Sequence, residues 1–357
     1  MIRIEPRGRP SLGLALGAPM LAAFLALALA AIPLAFAGAP LGRAYQLLFE
    51  GALGSRFALS ETLARSTPLI FTGLAVAVAF RARLYNIGAE GQLYAGALAA
   101  VAVGSGAIAA PPIVMIPAIV LAGAAAGALL MVGPTLLKIR FGVDEVVTTL
   151  LLNFIVLLFV SLMLEGPMKD PLGLGWPQSE PLVDEATLPP LFSRARIHTG
   201  LLIALAAVAF VQILLTRTVW GFEIRAVGAN PSAARFAGMS VAGTLVRVSL
   251  LSGALAGLAG VSEVAGLKGY LTQDLSPGYG YSGIVVAMLA ALHPVGVVAS
   301  AIFVAAVFVG ADSMSRALGV SSYIANLVVA MALIAVLLSG LLLRFRIRLS
   351  TRSARNA

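Results

Sequence analysis

Long apolar runs separated by short polar stretches are the dominant pattern along this chain. The runs approach the roughly 20 residues that an α-helix needs to cross about 30 Å of hydrocarbon, and the first extends from Leu14 to Phe36. The pattern predicts an all-α fold, a polytopic membrane bundle of about ten transmembrane helices. Their predicted bounds are 14–37, 63–80, 87–104, 113–137, 146–164, 200–215, 247–266, 281–292, 295–310 and 323–343.

The composition excludes an ordinary soluble domain. Hydrophobic residues make up 60% of the 357 residues, charged residues make up 11%, and the mean hydropathy is +1.00. Soluble domains are roughly half apolar and about a quarter charged. The chain has no cysteine, and its two histidines, His198 and His293, are far apart in sequence. We therefore expect no disulfide, no reactive thiol and no metal site.

The basic charge of the chain follows a membrane orientation. The net charge of +9 would by itself also suit nucleic-acid binding. When the N-terminus is placed in the cytoplasm, 16 of the 24 Lys and Arg residues fall in inner segments, while most acidic residues fall outside. This is the positive-inside bias. It predicts that both termini are cytoplasmic and that the chain binds no nucleic acid.

Polar segments border and interrupt what is predicted to be a single transmembrane domain, 1–357. They are the cytoplasmic N-terminus 1–13, the outer loop 165–199, the cytoplasmic segment 216–246 and the basic cytoplasmic tail 344–357. The outer loop is long enough to rest against an extracytoplasmic partner.

Two Gly-containing breaks, Arg81–Gln92 and Lys268–Gly283, follow predicted helices of opposite direction, and three helices follow each break. This arrangement predicts an inverted-topology repeat of helices 1–5 and 6–10. Interrupted segments at matching positions tend to mark the solute path of a transporter. The alternative is that glycine and polar residues simply form loops here.

The first break contains Asn86, Glu90 and Gln92 beside long apolar runs. Polar groups inside hydrocarbon are costly unless protein or a wet cavity satisfies them. Asn86 and Glu90 would share one face of a helix, and Gly88 and Gly91 would allow that helix to break. We therefore expect the three polar residues in the substrate pathway; the alternative is a short cytoplasmic turn exposed to water.

A second polar stripe, Glu145, Thr149 and Asn153, recurs at every fourth residue. Such a stripe is costly against lipid, so we expect it to face neighbouring helices or the pathway. Packing is favoured for the threonine and the pathway for Asn153, and both are pathway candidates.

The seventh predicted helix contains two features of interest. Gly253 and Gly257 form a pair that allows close helix approach. Glu263, near the outer end, is a further pathway candidate; it could contact solute or extend into the outer headgroups.

The cytoplasmic segment has the residues of a short docking helix. Asn230 suits the N-cap, Pro231 the first helical position and Gly238 the end. A helix of two turns outside the membrane has no packing role in a minimal bundle. We therefore expect a partner protein to contact it; an ordinary surface helix is the alternative.

Four stretches carry a family resemblance: YNIGAEGQ (85–92), GVDEVVTTLLLN (142–153), RAVGANPSAARFAGM (225–239) and GYGYSGIVVAML (278–289). From about Leu63 to Leu343 the chain resembles the permeases of ABC importers in the branched-chain amino acid, simple-sugar and nucleoside group, and within it the nucleoside (guanosine-type) branch. The resemblance implies a type II importer fold and nucleoside import, with simple sugars or another small solute as the alternative. One departure is the turn AALHP (290–294), which lacks a basic residue that relatives commonly carry.

The resemblance also implies roles and partners. The segment 225–239 would contact a separate ATP-hydrolysing subunit, and the break at 86–92 would lie beside the path. The other implied partners are a second, non-identical permease, an extracytoplasmic solute-binding protein and the lipid of a bacterial inner membrane. The residues expected to couple to the ATPase are Gly228, Asn230, Ala233, Ala234, Arg235 and Gly238.

The chain itself is not expected to be an enzyme. Its three lysines, Lys138, Lys169 and Lys268, do not follow glycine, so no phosphate-binding loop of the Gly-x-x-x-x-Gly-Lys type exists. ATP and Mg would be bound by the partner ATPase, and no cofactor by this chain. An ion-coupled secondary transporter is the main alternative, although it would more often have several buried acids. A membrane-embedded transferase would need an acid or histidine cluster.

Overall fold

The computed structural model describes residues 2–6, 24–25, 27–106, 109–192 and 195–349. Most of the predicted N-terminal segment 1–13, the first half of the predicted helix 14–37 and the end of the tail 344–357 lie outside these residues.

Within them, helices dominate, and a strand lies near each end. The elements in chain order are β1 (Ile2–Pro6), α1 (Leu27–Phe36), α2 (Leu41–Leu53), α3 (Arg56–Arg81), α4 (Ala89–Gly104), α5 (Pro112–Phe141), α6 (Glu145–Glu165), α7 (Gly200–Arg217), α8 (Val219–Ala229), α9 (Pro231–Phe236), α10 (Val241–Glu263), α11 (Tyr279–Leu289), α12 (Pro294–Leu318), α13 (Ser322–Arg344) and β2 (Phe345–Leu349).

Six of the described helices are long and apolar enough to cross a membrane: α3, α5, α6, α7, α10 with its extension to Lys268, and α12. The helices α1 and α2 are bent by 119° relative to each other and would count as one further broken span. The multi-pass membrane fold is thus confirmed, whereas the count of ten spans is not. Two predicted spans, 87–104 and 281–292, form α4 and α11, which have only 16 and 11 residues and are too short to cross alone.

The described chain divides into two compact units. The smaller unit comprises residues 1–55 and 306–357. In it, α2 lies close to the second half of α12, because glycine at 310 leaves the backbone of Leu48 directly against that helix. At its chain ends, β1 pairs antiparallel with β2, with Ile2 opposite Leu349.

The larger unit comprises residues 56–305 and is built around α10. This helix packs on α3, α4 and α5. A side chain at Gly253 or Gly257 would collide with the backbone of Gly127 or Gly123 in α5. The prediction that the Gly253 and Gly257 pair allows close helix approach is confirmed.

Local sequence signals set the helix ends around the site. Gly142, with φ +68°, ends α5 in the left-handed conformation that glycine adopts without steric cost. Two residues later, the Asp144 side chain accepts a hydrogen bond from the Val146 amide at 2.8 Å and caps α6. Ser240 caps α10 in the same way, through the Gly243 amide at 3.1 Å.

Two interruptions shape the interior of this unit. After α3, residues 82–88 are non-helical and α4 then begins. After α10, the chain continues as a π-helix over Val264–Lys268, runs without regular structure through 269–278 and enters α11. These two segments correspond to the breaks predicted from the sequence.

The loop 165–199, which was predicted to lie outside the membrane, lies against the end of α10. The Leu188 amide donates to the carbonyl of Ala265 at 2.8 Å, and the Leu182 amide donates to that of Gly269 at 2.8 Å. The loop therefore covers the π-helical turn. In such a turn, backbone hydrogen bonds join residues five positions apart, whereas in an α-helix they join residues four apart.

Candidate functional site

Asn86 is the centre of a buried hydrogen-bond network in the first break. Its Nδ2 donates to Gln92 Oε1 and to Ser252 Oγ, both at 2.9 Å, and its Oδ1 accepts from Gln92 Nε2 at 3.0 Å. Its Oδ1 also accepts from the Gly88 amide at 2.9 Å. The hydroxyl of Ser252 donates in turn to the carbonyl of Ala75 at 2.7 Å. Asn86 thus ties the break to both α10 and α3.

The polar stripe of α6 faces the same break. Glu145 Oε1 accepts from the Tyr85 amide at 3.1 Å and also pairs with the ammonium of Lys138. Thr149 Oγ1 accepts from the Ile87 amide at 3.3 Å. The stripe is buried, as expected for residues that do not face lipid.

Asn153 continues that stripe and joins three segments. Its Oδ1 accepts from the Gly91 amide in the first turn of α4 at 2.8 Å. Its Nδ2 donates to the carbonyl of Ile87 at 3.0 Å and to the hydroxyl of Tyr281 at 3.2 Å. Because α11 packs mainly on α3 and α4, while α6 packs on α4 and α5, the last of these bonds reaches from α6 to α11.

Glu90 joins the two short helices. Its Oε2 accepts from the Gly280 amide at 2.6 Å, and its carboxylate also interacts with Ser276 and with the backbone of Tyr281. Gly280 is in the first turn of α11, where amides have no partner inside the helix and the helix dipole favours a negative charge. Any Cβ at Gly280 would collide with the backbone of Glu90. The two helices therefore begin in direct contact.

The second break is held by groups on α3 and α4. Tyr94 Oη donates to the carbonyl of Gln273 at 2.7 Å and accepts from the Ser276 amide at 3.1 Å. Thr72 Oγ1 donates to the carbonyl of Tyr279 at 3.1 Å.

This polar cluster lies near the middle of the spanning helices. Asn153 is the ninth of 21 residues in α6, which places it about 12 Å from the start of a helix about 30 Å long. Ser252 is the twelfth of 23 residues in α10. We define the central cluster as Asn86, Glu90, Gln92, Asn153 and Ser252.

Four of the predicted pathway residues thus meet in the central cluster, and Thr149 adjoins it. They are not a water-exposed turn, since Asn86, Glu90 and Gln92 are at most 3% exposed. Their contact with solute stays a prediction. The sequence analysis missed Gly280 and Tyr281 as partners, although both lie in the GYGYSG stretch, and it also missed Ser252.

Glu263 lies apart from the central cluster, at the C-terminal end of α10. It is 2% exposed, so it does not extend into headgroups. Among the described residues its Oε1 has no hydrogen-bond partner, and neither has His198 Nε2. The ring of His198 packs over Gly266, one turn beyond Glu263. The other charged groups around Glu263 are Glu61, Arg65, Arg196 and Lys268.

The segment 216–246, which was predicted to be cytoplasmic, contains two short helices, α8 and α9. Asn230 Oδ1 accepts from the amides of Ser232 at 3.0 Å and Ala233 at 3.1 Å, Pro231 opens α9, and Gly238 has φ +81° just beyond its end. The predicted capping is confirmed. The coupling candidates Asn230, Ala233, Arg235 and Gly238 are exposed, whereas Gly228 and Ala234 are buried.

The buried side of this segment contacts α3. A Cβ at Gly228 would collide with the carbonyl oxygen of Arg81, the last residue of α3. Arg81 Nε donates to the carbonyl of Leu292 at 3.0 Å, in the turn that follows α11. The turn AALHP, which lacks its own basic residue, is thus contacted by the arginine of another segment.

The described residues contain no group of three or more His, Cys, Asp or Glu side chains that could hold a metal ion. The central cluster consists of amides, a hydroxyl and one buried carboxylate between helices of a membrane bundle, an arrangement typical of a solute path.

Comparison with known proteins supports this class. Residues 58–337 match the family described as branched-chain amino acid transport system / permease component. The chain is 37% identical to the glucose ABC transporter permease protein TsgB13 of Haloferax volcanii, over 97% of this chain and 93% of that protein. It is 36% identical to the guanosine ABC transporter permease protein NupP of Bacillus subtilis, over 89% and 92%. It is 34% identical to the nucleoside ABC transporter permease protein NupB of Lactococcus lactis, over 80% and 81%.

The fold and these matches define a membrane-spanning transport subunit. The chain belongs to the branched-chain amino acid transport system permease family, and the relatives named above are ABC transporter permeases.

Proposed function

We propose that this chain translocates nucleosides as one membrane-spanning subunit of an ATP-driven importer. The observation that carries the transport mechanism is the meeting of α4 and α11 at Glu90 and Gly280, near the middle of the spanning helices. Discontinuous helices that begin at this depth are typical of solute sites in transporters. Two relatives named for guanosine and nucleosides support the substrate class.

The polar residues of the central cluster hold the two broken segments beside the path. In this proposal Asn86, Gln92 and Thr149 set the shape of the first break, and Glu90 and Asn153 join it to α11. Rocking of the helices then changes access from one side of the membrane to the other.

A route from the cytoplasmic segment to the central cluster follows two contacts. A partner ATPase that closes on ATP would push α8 and α9. Gly228 lies against the end of α3, and Arg81 joins that end to the turn after α11. Displacement of α8 would therefore move the C-terminal ends of α3 and α11 together, because close backbone contacts leave little room for independent motion.

The remaining assembly follows from the same proposal. The two breaks, each preceding a short helix, support an inverted-topology repeat, with further spans beyond the six described ones. Both termini are cytoplasmic in this arrangement. A second, non-identical permease completes the path, and a solute-binding protein delivers nucleoside to the outer loop. ATP and Mg bind to the ATPase.

A sugar is the second candidate substrate. It is favoured by one observation, the 37% identity to a glucose permease over nearly the full chain. An ion-coupled transporter is a weaker alternative, because Glu90 accepts hydrogen bonds from the α11 backbone and so has a structural role.

The test is solute-stimulated ATP hydrolysis by the reconstituted transporter. The chain would be purified with its ATPase and second permease, and the binding protein preloaded with guanosine or with glucose. Nucleoside import predicts stimulation by the guanosine-loaded form, and loss of stimulation in Ala233→Glu on the exposed side of α9. Gly133→Ala is the matched control, since a Cβ there meets no atom within 4 Å.

Stimulation by glucose alone would replace the nucleoside proposal with the sugar one. Solute movement by this chain without any ATPase, driven by an ion gradient, would overturn the ATP-driven mechanism.

A further inference from the structure

The helix α11 turns one face out of the larger unit. Tyr281, Ile284, Val285 and Met288 recur at helical spacing on this face, and all are partly exposed. The opposite face packs on α3, where Gly283 lies directly against Thr72. Tyr281 is the only aromatic residue on the open face and is 37% exposed.

The open face of α11 borders the broken segments of the bundle. It begins beside two stretches without regular structure, 82–88 and 269–278, at the depth of the central cluster. Non-helical backbone at membrane depth is tolerated only where protein buries it or where it lines a wet cavity. The ring of Tyr281 therefore faces either the path or a protein partner along the path.

The polar side chains behind Tyr281 have little hydrogen-bonding capacity left for a solute. Both Nδ2 hydrogens of Asn86 are used, by Gln92 and Ser252. Those of Asn153 are used by Ile87 and Tyr281. The side chains of Asn86, Gln92, Asn153 and Ser252 are at most 1% exposed. A ligand at this depth can therefore contact the ring of Tyr281, whereas the side-chain amide hydrogens of Asn86 and Asn153 are already in use.

The orientation of Tyr281 is set by its surroundings. Its hydroxyl accepts from Asn153 Nδ2 at 3.2 Å, and its residue follows Gly280, whose amide is held by Glu90. A ring held at its backbone and at its tip presents its face without loss of rotamer entropy on binding.

We propose that Tyr281 contacts the solute inside the membrane and that its ring stacks on the planar base of a nucleoside. Stacking of a base on an aromatic side chain contributes about 1–3 kcal/mol and requires no particular hydrogen-bond pattern. Glucose, in contrast, has no planar base to stack, and its hydroxyls need donors and acceptors, which in the central cluster are already hydrogen-bonded. The inference rests on the proposed function and specifies which group recognises the solute.

The experiment is uptake of labelled guanosine and labelled glucose by cells that express the complete transporter, with Tyr281→Leu, Tyr281→Phe and Tyr281→Trp. The leucine variant keeps bulk but removes the ring. We expect its maximal guanosine uptake to fall by about 5- to 150-fold, the equivalent of the lost stacking. The half-saturating concentration should change little, because the binding protein captures solute first. The phenylalanine and tryptophan variants should keep guanosine uptake within about threefold of wild type. Tyr323→Leu, which removes a tyrosine that is 82% exposed on α13, is the matched control.

Three outcomes would contradict the role of Tyr281 or the proposed substrate class. Equal guanosine uptake by Tyr281→Leu and wild type, with both proteins present in the membrane at the same level, would overturn the inference and leave nucleoside import intact. The same holds if Tyr281→Phe is as impaired as Tyr281→Leu, because the bond to Asn153, not the ring, would then matter. Glucose uptake without guanosine uptake by the wild type would instead refute the proposed substrate class.

Discussion

The amide of Gly280 donates to the carboxylate of Glu90 at 2.6 Å, and a Cβ at position 280 would collide with the Glu90 backbone. The two residues lie 190 positions apart in sequence. Their contact brings the first turns of α4 and α11 together near the centre of the larger unit. The first turn of α11 has amides without partners inside the helix, and the buried carboxylate of Glu90 needs hydrogen-bond donors, so each group satisfies the other.

We predict that Glu90→Ala destabilises the chain by about 1–3 kcal/mol, because it leaves the buried amide of Gly280 without an acceptor. Glu90→Gln keeps an acceptor oxygen and should cost less. Thermal unfolding of the purified protein in detergent measures both. Equal unfolding temperatures for the alanine variant and wild type would contradict the structural role of this carboxylate.

The contact between Gly228 and Arg81 gives a second prediction. In Gly228→Ala the new methyl group would meet the Arg81 carbonyl oxygen, so α8 must shift away from α3. We expect ATP hydrolysis by the assembled transporter to respond less to solute, by about tenfold if the shift costs roughly 1.4 kcal/mol. Gly133→Ala, in open space on α5, should leave the response unchanged. A normal response in Gly228→Ala would exclude this contact as the coupling route.

A third prediction concerns Phe236, the last residue of α9, which is 97% exposed. Aromatic residues, including phenylalanine, are enriched in the cores of protein–protein interfaces, so we expect this exposed side chain to anchor a partner protein. Phe236→Ala should weaken association with the ATPase by about 30-fold, which corresponds to roughly 2 kcal/mol. Co-purification at graded ATPase concentrations measures this.

The matched control for Phe236 is Phe192→Ala on the outer loop, where the phenylalanine is 66% exposed. It should retain full association. Loss of association in both variants would indicate a general folding defect and not an anchor at α9.

A fourth prediction concerns pH. Burial lowers the pKa of His198, outside the spanning segments, from 6.5 to about 4. The unfolded chain therefore binds a proton at this residue between about pH 6.5 and 4, and the folded chain does not. The stability that His198 contributes is fully present above pH 6.5 and is lost as the pH falls towards 4, by up to about 3 kcal/mol.

The measurement compares unfolding temperatures of wild type and His198→Gln from pH 7.5 to 4.5. The variant should lose less stability on acidification than wild type. Because every other residue is the same in both proteins, the difference between the two curves isolates the histidine. Parallel curves would show that His198 is protonated equally in the folded and unfolded chains.

Several features could be predicted from the sequence because they depend on local order. The caps at Asn230 and Gly238 are set by residues within two or three positions of the helix ends, and the structure confirms them. The role of the Gly253 and Gly257 pair in α10 could also be predicted, because a missing side chain permits close packing against any neighbouring helix. Membrane residence follows from composition alone.

The role of the polar residues could not be predicted in the same way. Asn86 is paired with Ser252, 166 positions away, and Asn153 with Tyr281, 128 positions away. The sequence shows only that these side chains border apolar runs. Whether they face solute or satisfy each other depends on which distant segments meet.

Membrane residence, the positions of most helices and the capping of α9 follow from the sequence alone, since apolar length and capping act over one helix or one turn. The three-dimensional structure was needed to show that two predicted spans are short helices that meet at Glu90 and Gly280, and that the central cluster is hydrogen-bonded within itself. The physical reason is that a buried polar group must find its partner in space, and the spatial neighbours of Asn86 and Glu90 come from helices remote in sequence.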